Sequence, residues 1–149
     1  MAGFHLAQVN VARLRAPIDH PDTQEFVDAL EPINAVADAA PGFVWRLQTE
    51  SGDATSIRAF DDDLVIVNLS VWATLEDLRS FMYRTDHAGF LRRRRTWFEP
   101  TDGPSVAMWW IPVGEVPTVE DAVQRLGRLE QAGPSPEAFD LRRSFPPDG

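Results

Sequence analysis

Alternation of apolar and polar residues predicts four β-strands in this chain. The clearest is LVIVNLSVWA, residues 64–73, in which one face is entirely apolar, with valine and leucine at residues 65–71. The other face begins apolar and then changes to Asn68, Ser70 and Trp72, an odd composition for either a core face or a solvent face. The remaining strands are predicted over residues 5–15, 43–50 and 105–114.

Apolar residues at helical spacing predict a first helix between the first two strands. Asp22 and Glu25 form a capping pair that indicates its start. We expect a kink at Pro32, because proline removes one backbone donor from the helix interior. The turn residues Pro41 and Gly42 should end this helix.

Two further helices are predicted, and each begins with a capping box of the form Thr-x-x-Asp, at residues 74–77 and 118–121. We expect the helix that starts at 74–77 to break around residues 85–89, restart and continue to Trp97–Phe98. Glycine and proline at 133–134 should stop the last helix.

The predicted element order is β-α-β-β-α-β with one appended helix. This order is typical of the α+β class, and specifically of a ferredoxin-like sandwich, in which helices cover one face of an antiparallel four-stranded sheet. We therefore predict one domain over residues 1–149, with residues 138–149 as a C-terminal tail that holds one short edge strand.

The two faces of this sheet differ in composition, and we expect the plainly apolar face to meet the helices. The opposite face mixes amides, one guanidinium and large aromatic side chains. Several indoles are seldom left in bulk water, so we expect a second copy of the chain to cover this face and to enclose a chamber. The residues expected there are Gln8, Asn10, Arg46, Gln48, Asn68, Ser70, Trp72, Met108 and Trp110.

Composition excludes several classes of partner and chemistry. The chain has no cysteine, and its 14 basic residues are all arginine, which rules out thiolate and Schiff-base lysine mechanisms. The net charge of −9 argues against nucleic acid as a partner. The N-terminus carries no signal-peptide pattern and no apolar run approaches the length of a membrane span, so we expect no membrane contact and a cytoplasmic location.

Several segments resemble an uncharacterised bacterial family: GFVWRL, IVNLSVW, the TDH stretch at 85–87 that runs into FLRRR at 90–94, WF at 97–98, and MWWIPVG. That family belongs to the dimeric α+β barrel superfamily, which includes antibiotic-biosynthesis monooxygenases. The resemblance covers about residues 4–145. It implies a ferredoxin-like protomer and a homodimer whose two sheets face each other around a cavity, but it implies no known reaction.

One branch of that superfamily, the haem-degrading monooxygenases, carries an asparagine on the first strand and a tryptophan and a histidine on the second long helix. Here Asn10 fits the first position, whereas Phe81 and Leu91–Arg92 occupy the other two. Only His87 is available as a substitute ligand. We therefore expect no cofactor and keep haem as an alternative, and the absence of an HxH or HxxxH pattern argues against a structural metal.

Three side chains are the candidate catalytic residues. His87 stands next to Asp86 and is either a general base that faces the cavity or a surface histidine near a helix start. Asn10 and Asn68 either orient a substrate oxygen by hydrogen bonds or belong to a water-filled polar network.

Five further residues are the candidate substrate ligands. Arg46, in mid-strand, either forms a structural ion pair or binds an anionic group. Trp72 and Trp110 either stack on a flat substrate or pack in the core. Ser70 and Gln8 complete the polar lining that we expect for the chamber.

These observations lead to a first hypothesis, a small-molecule enzyme of the monooxygenase or cyclase type that acts on a planar aromatic or polyketide-like metabolite. The alternatives are a non-catalytic metabolite-binding or stress-response module, and a haem-binding protein.

Overall fold

The computed structural model describes residues 3–17, 20–47, 65–84, 98–99, 106–140 and 143–146. Within these residues the strands are β1 (Phe4–Leu14), β2 (Phe43–Arg46), β3 (Val65–Trp72), β4 (Phe98–Glu99) and β5 (Val106–Pro112). The helices are α1 (Gln24–Ala39), α2 (Leu75–Arg84) and α3 (Val119–Ala132).

All five strands belong to one antiparallel sheet in which β1 is central. The order across the sheet is β2, β3, β1 and then β5, which pairs with β1 from Phe4 to Asn10. The short β4 lies on the same side of β1 as β5 and pairs with Arg13 and Leu14. This order, with a helix after each of the first and third strands, is the ferredoxin-like topology of the α+β class, as the sequence predicted.

Helices α1 and α2 cover the face of the sheet that carries Leu6, Trp72 and Met108. Phe81 of α2 stacks on Trp72, with 5.0 Å between the ring centroids. Ile33 of α1 is partly buried in the same cluster. We call this side the α1/α2 face.

Helix α3 covers the opposite face, which we call the α3 face. Its buried side chains, Ala122, Leu126 and Leu129, lie at helical spacing and pack into a cluster with Val9 and the other apolar residues of β1, β3 and β5. Both faces of the sheet are therefore covered within a single chain.

The predicted assignment of the two faces was wrong. Gln8, Ser70, Trp72 and Met108 belong to the face covered by α1 and α2 of the same chain, and their exposed fractions in one copy are between 0% and 6%. Alternation shows which side chains share a face but not which helix covers that face. The mixed face carries apolar clusters on both sides of its polar residues. Its large aromatic side chains belong to these clusters and pack beneath α1 and α2.

Several predicted boundaries also need correction. The first helix is preceded by a 3-10 turn at Pro21–Thr23, and Thr23, rather than Asp22, is its N-cap residue. Thr23 Oγ1 donates to the carbonyl oxygens of Pro17 and His20 instead of capping the helix. The helix continues through Pro32 to Ala39.

Phe98 was predicted as a helical residue but lies in β4, where it pairs with Leu14 and packs edge-on against Phe26. The predicted helix break and restart lie outside the described residues. The capping box at 118–121 is confirmed, since Thr118 and Asp121 form both of its hydrogen bonds. At 74–77, Thr74 Oγ1 accepts from Asp77 N as predicted, but the Asp77 carboxylate accepts from the Thr74 hydroxyl and not from the cap amide. In the tail, the predicted edge strand is a single bridge between Phe139 and Met108.

Candidate functional site

Four side chains on the α1/α2 face form a continuous hydrogen-bonded row, which we call the polar ladder: Gln8, Asn68, Ser70 and Trp72. Gln8 lies opposite Ser70 in the β1–β3 register. Its Nε2 donates to Asn68 Oδ1 at 2.9 Å and to Ser70 Oγ at 2.7 Å. The indole Nε1 of Trp72 donates to the same Ser70 oxygen at 2.9 Å.

Ser70 is the centre of the ladder. A hydroxyl oxygen has two lone pairs and one proton, and here both lone pairs receive a donor. The proton must therefore point away from both Gln8 and Trp72. Within the described part of the chain, no oxygen accepts a hydrogen bond from it. Among the described residues, the Ser70 proton is therefore a donor without a protein acceptor.

Exposure changes along the ladder, from Asn68, which is exposed, to Trp72, which is 1% exposed. Gln8 and Ser70 lie between them and are both 6% exposed. Asn10 lies directly opposite Asn68 and is half-buried. The row of polar groups therefore begins at the protein surface and ends in the core.

Apolar clusters flank the ladder on both sides. One contains Leu6 and Met108 with side chains of α1 and α2, and includes the ring of Trp72 at the end of the ladder. The other contains Leu14 and Phe26. Sites that bind small molecules typically combine mainly apolar surroundings with a few polar groups in fixed positions. A buried network of this kind is stable only when its members are satisfied, and each described ladder member makes at least one hydrogen bond.

Arg46 forms an ion pair with Asp38 of α1. Its Nε lies 2.8 Å from Asp38 Oδ1, and its Nη2 donates to Asp38 Oδ2 at 3.3 Å, so the pair is bidentate. Of the two roles predicted for Arg46, the structure shows the ion pair, and its partner Asp38 lies on α1. The separation of eight residues between Asp38 and Arg46 could have indicated this pair. A tight turn at Gly42 folds the chain back, so that the end of α1 lies beside β2.

The two candidate stacking residues are both packed against other aromatic rings. Trp72 has Phe81 stacked on it and Phe43 against its edge at 5.5 Å, an arrangement that favours core packing. Trp110 is half-buried, and its Nε1 donates to the carbonyl oxygen of Phe145 at 2.8 Å. The C-terminal tail therefore lies over Trp110.

The remaining candidates concern proton transfer and metals. His87 lies outside the described residues, as do the arginines at 92–95, so their roles stay predictions. The ladder itself contains an indole, a hydroxyl and two amides, none of which titrates near neutral pH. No group of three or more potential metal ligands occurs among the residues that the structure describes.

A family model described as Domain of unknown function (DUF3291) matches residues 5–149. The chain belongs to this family. The predicted membership of an uncharacterised family is thereby confirmed, and the DUF3291 match leaves the reaction open. None of the curated proteins matches the chain. Among the described helices, none has the length and apolar character needed to cross a membrane.

Several solved structures are similar to this DUF3291 chain, including the following three. A mutant of SnoaB, a cofactor-independent oxygenase from Streptomyces nogalater, has a TM-score of 0.49 and 15% identity, covering 75% of this chain and 95% of that one. The NE2512 protein of unknown function from Nitrosomonas europaea has a TM-score of 0.47 and 10% identity, covering 77% and 94%. A candidate antibiotic biosynthesis monooxygenase from the same organism has a TM-score of 0.44 and 17% identity, covering 78% and 93%.

Proposed function

We propose that this protein binds a planar metabolite that carries a carbonyl or enolate oxygen, and that it acts on this metabolite as an enzyme of the monooxygenase or cyclase type. The observation that supports the proposal is the state of Ser70, whose oxygen accepts two hydrogen bonds and whose proton has no acceptor among the described residues. In this proposal the ligand binds beneath α1 and α2 of one chain instead of between two sheets.

The apolar surroundings of the ladder favour a flat, mainly apolar ligand, and the outward donors of Ser70 and Asn68 suit its oxygen atom. Donors that are already oriented stabilise negative charge as it develops on such an oxygen. This matters for a substrate that is deprotonated next to a carbonyl group, because the charge then moves to the oxygen. Asn10, opposite Asn68, is the proposed third polar group at the open end of the ladder.

The proton is taken by His87 in this proposal, because the ladder has no group that titrates near neutral pH. Oxygen chemistry without a cofactor requires the deprotonated substrate to supply the electrons itself. The protein then holds the substrate, stabilises its oxyanion and limits access of water.

A panel of planar hydroxyaryl ketones, with oxygen uptake and product formation as readouts, tests the proposal. We expect His87→Ala to remove turnover and keep ligand affinity, and Ser70→Ala to weaken binding by about tenfold because one hydrogen bond is lost. His20→Ala, at an exposed histidine before α1, is the matched control and should retain activity. If His87→Ala turns over at the wild-type rate, its role as base is refuted.

One observation favours a second candidate, a non-catalytic metabolite-binding protein: the described ladder contains only groups that bind and orient. Saturable binding of a ketone without oxygen uptake or product formation would support that function over the enzyme. A hemin titration followed in the Soret region tests the haem alternative, and a flat titration would remove it.

The homodimer stays a prediction, and the ladder does not depend on it. Because α1, α2 and α3 pack on the two faces of the sheet in one chain, we expect a dimer to use another surface or to displace a helix. Size-exclusion chromatography with light scattering distinguishes one copy from two.

A further inference from the structure

We infer that Gln8 is a positioning residue that fixes the hydrogen-bond polarity of the ladder, so that the site selects ligands with an acceptor oxygen over ligands of the same shape without one. This inference rests on the proposed function and adds the ligand specificity of the same site. Gln8 does not contact the ligand in this inference. It orients Asn68 and Ser70, which do.

The first step concerns the amide of Gln8 itself. An amide nitrogen has two N–H groups, and both are used, one toward Asn68 Oδ1 and one toward Ser70 Oγ. The Gln8 side chain is 6% exposed, so its amide has little freedom to reorient. Because both contacts are made by the amide nitrogen, the carbonyl oxygen of Gln8 accepts from neither Asn68 nor Ser70.

The second step concerns Asn68. Its Oδ1 is held by Gln8, which leaves its Nδ2 group, with two donors, on the side away from Gln8. No acceptor in the described chain takes these donors. Asn68 is exposed, so a ligand reaches them without displacing a packed side chain. An asparagine without such a partner would present its oxygen or its nitrogen equally well.

The third step concerns Ser70. A serine hydroxyl normally rotates to suit its neighbours. Here the donors of Gln8 and Trp72 fill both lone pairs, so the hydroxyl acts toward a ligand as a donor only. Asn68 and Ser70 lie two residues apart on β3 and share its α1/α2 face. They therefore present donors side by side, a pattern that complements a ketone or enolate oxygen and repels a second donor.

A pair of probes of equal shape tests this inference: 2-acetonaphthone, which carries a carbonyl oxygen, and 2-isopropenylnaphthalene, in which a CH2 group replaces that oxygen. Equilibrium dialysis of the full chain should show a preference of about tenfold for the ketone, the value expected for one or two hydrogen bonds. The same preparation is assayed for oxygen uptake on the metabolite panel, so the enzyme proposal is judged separately.

Gln8→Glu keeps the shape of the side chain but replaces both donors with acceptors. Asn68 must then turn its nitrogen inward and Ser70 must donate inward, so we expect the preference for the ketone to disappear while affinity for the alkene is retained. Gln124→Glu makes the same chemical change at an exposed position of α3 and should leave the preference unchanged.

Gln8→Met is the second variant, in case a buried carboxylate prevents folding. It frees the amide of Asn68 and the hydroxyl of Ser70 to rotate, and the preference should fall to about threefold or less. The indole N–H resonance of Trp72 reports whether the rest of the ladder is intact. Three results overturn the inference: wild-type protein that binds neither probe, wild-type protein that binds both equally, or an unchanged preference in the Gln8 variants.

Discussion

The two faces of the sheet are buried in different ways. The α3 face is closed by one amphipathic helix over valine, leucine, alanine and tryptophan side chains. The α1/α2 face has apolar clusters at its ends and polar groups between them. Of the three polar side chains that are buried in the described chain, Gln8 and Ser70 lie on this face, and the third, Thr23, serves the turn before α1.

This difference separates a surface that stabilises the fold from a surface that also carries a candidate site. Burying an amide and a hydroxyl costs free energy that apolar residues would not cost, even when hydrogen bonds offset most of it. The α3 face shows that this chain can cover a sheet with apolar side chains. The polar ladder is therefore best explained by a use other than stability.

The largest expected effect comes from the end of the ladder that lies in the core. Trp72→Ala removes the ring that Phe81 stacks on and one donor to Ser70. We expect a loss of about 3–5 kcal/mol in the free energy of unfolding, measured by chemical denaturation. Val44→Ala, at a valine that is 42% exposed, is the control and should change stability much less. A loss below about 1 kcal/mol for Trp72→Ala would mean that the α1/α2 face is not the core described here.

The second effect tests the α3 face by itself. Leu126 is 7% exposed and packs onto the sheet from the middle of α3. Leu126→Ala should lower the free energy of unfolding by about 2–4 kcal/mol and leave ligand binding at the ladder unchanged, because the sheet separates the two sites. Gln124→Ala, on the exposed side of the same helix, should have an effect within about 0.5 kcal/mol. Loss of ligand binding in folded Leu126→Ala would contradict the separation of the two faces.

The sequence predicted most of the fold and the members of each sheet face, because both depend on local periodicity. The strands of Val65 and Val106, and the helix that starts after Thr118, begin within one residue of the predicted positions. Local periodicity did not predict which helices cover which face of the sheet, because that depends on packing between elements that are far apart in sequence. The composition of the mixed face predicted the ladder residues Gln8, Asn68 and Ser70, whereas the direction of their hydrogen bonds depends on the register of β1 against β3 and on side-chain rotamers.

The third effect concerns the point where α2 meets β2. Gly42 has a φ of +80°, and a Cβ atom there would collide with the carboxylate of Asp77, which also contacts the capping Thr74. Gly42→Ala should therefore cost about 1–2 kcal/mol from backbone conformation, and the collision adds to this cost. Thermal or chemical unfolding measures the loss. A neutral result would show that α2 can move away from β2 freely, and would weaken the case for a fixed ladder.

The smallest expected effect is an increase in stability, and it concerns a glycine of α3. Gly127 lies inside α3, and a Cβ atom there meets nothing within 4 Å. Gly127→Ala should raise the free energy of unfolding by about 0.5–1 kcal/mol, because alanine has the higher helix propensity and loses less backbone entropy on folding. Stability changes of opposite sign for Gly42→Ala and Gly127→Ala would show that an added methyl group is not tolerated where α2 meets β2, whereas it is accommodated on α3. Destabilisation by Gly127→Ala would instead indicate that something outside the single chain packs against α3, and a second copy, detected by light scattering, would be the first partner to test.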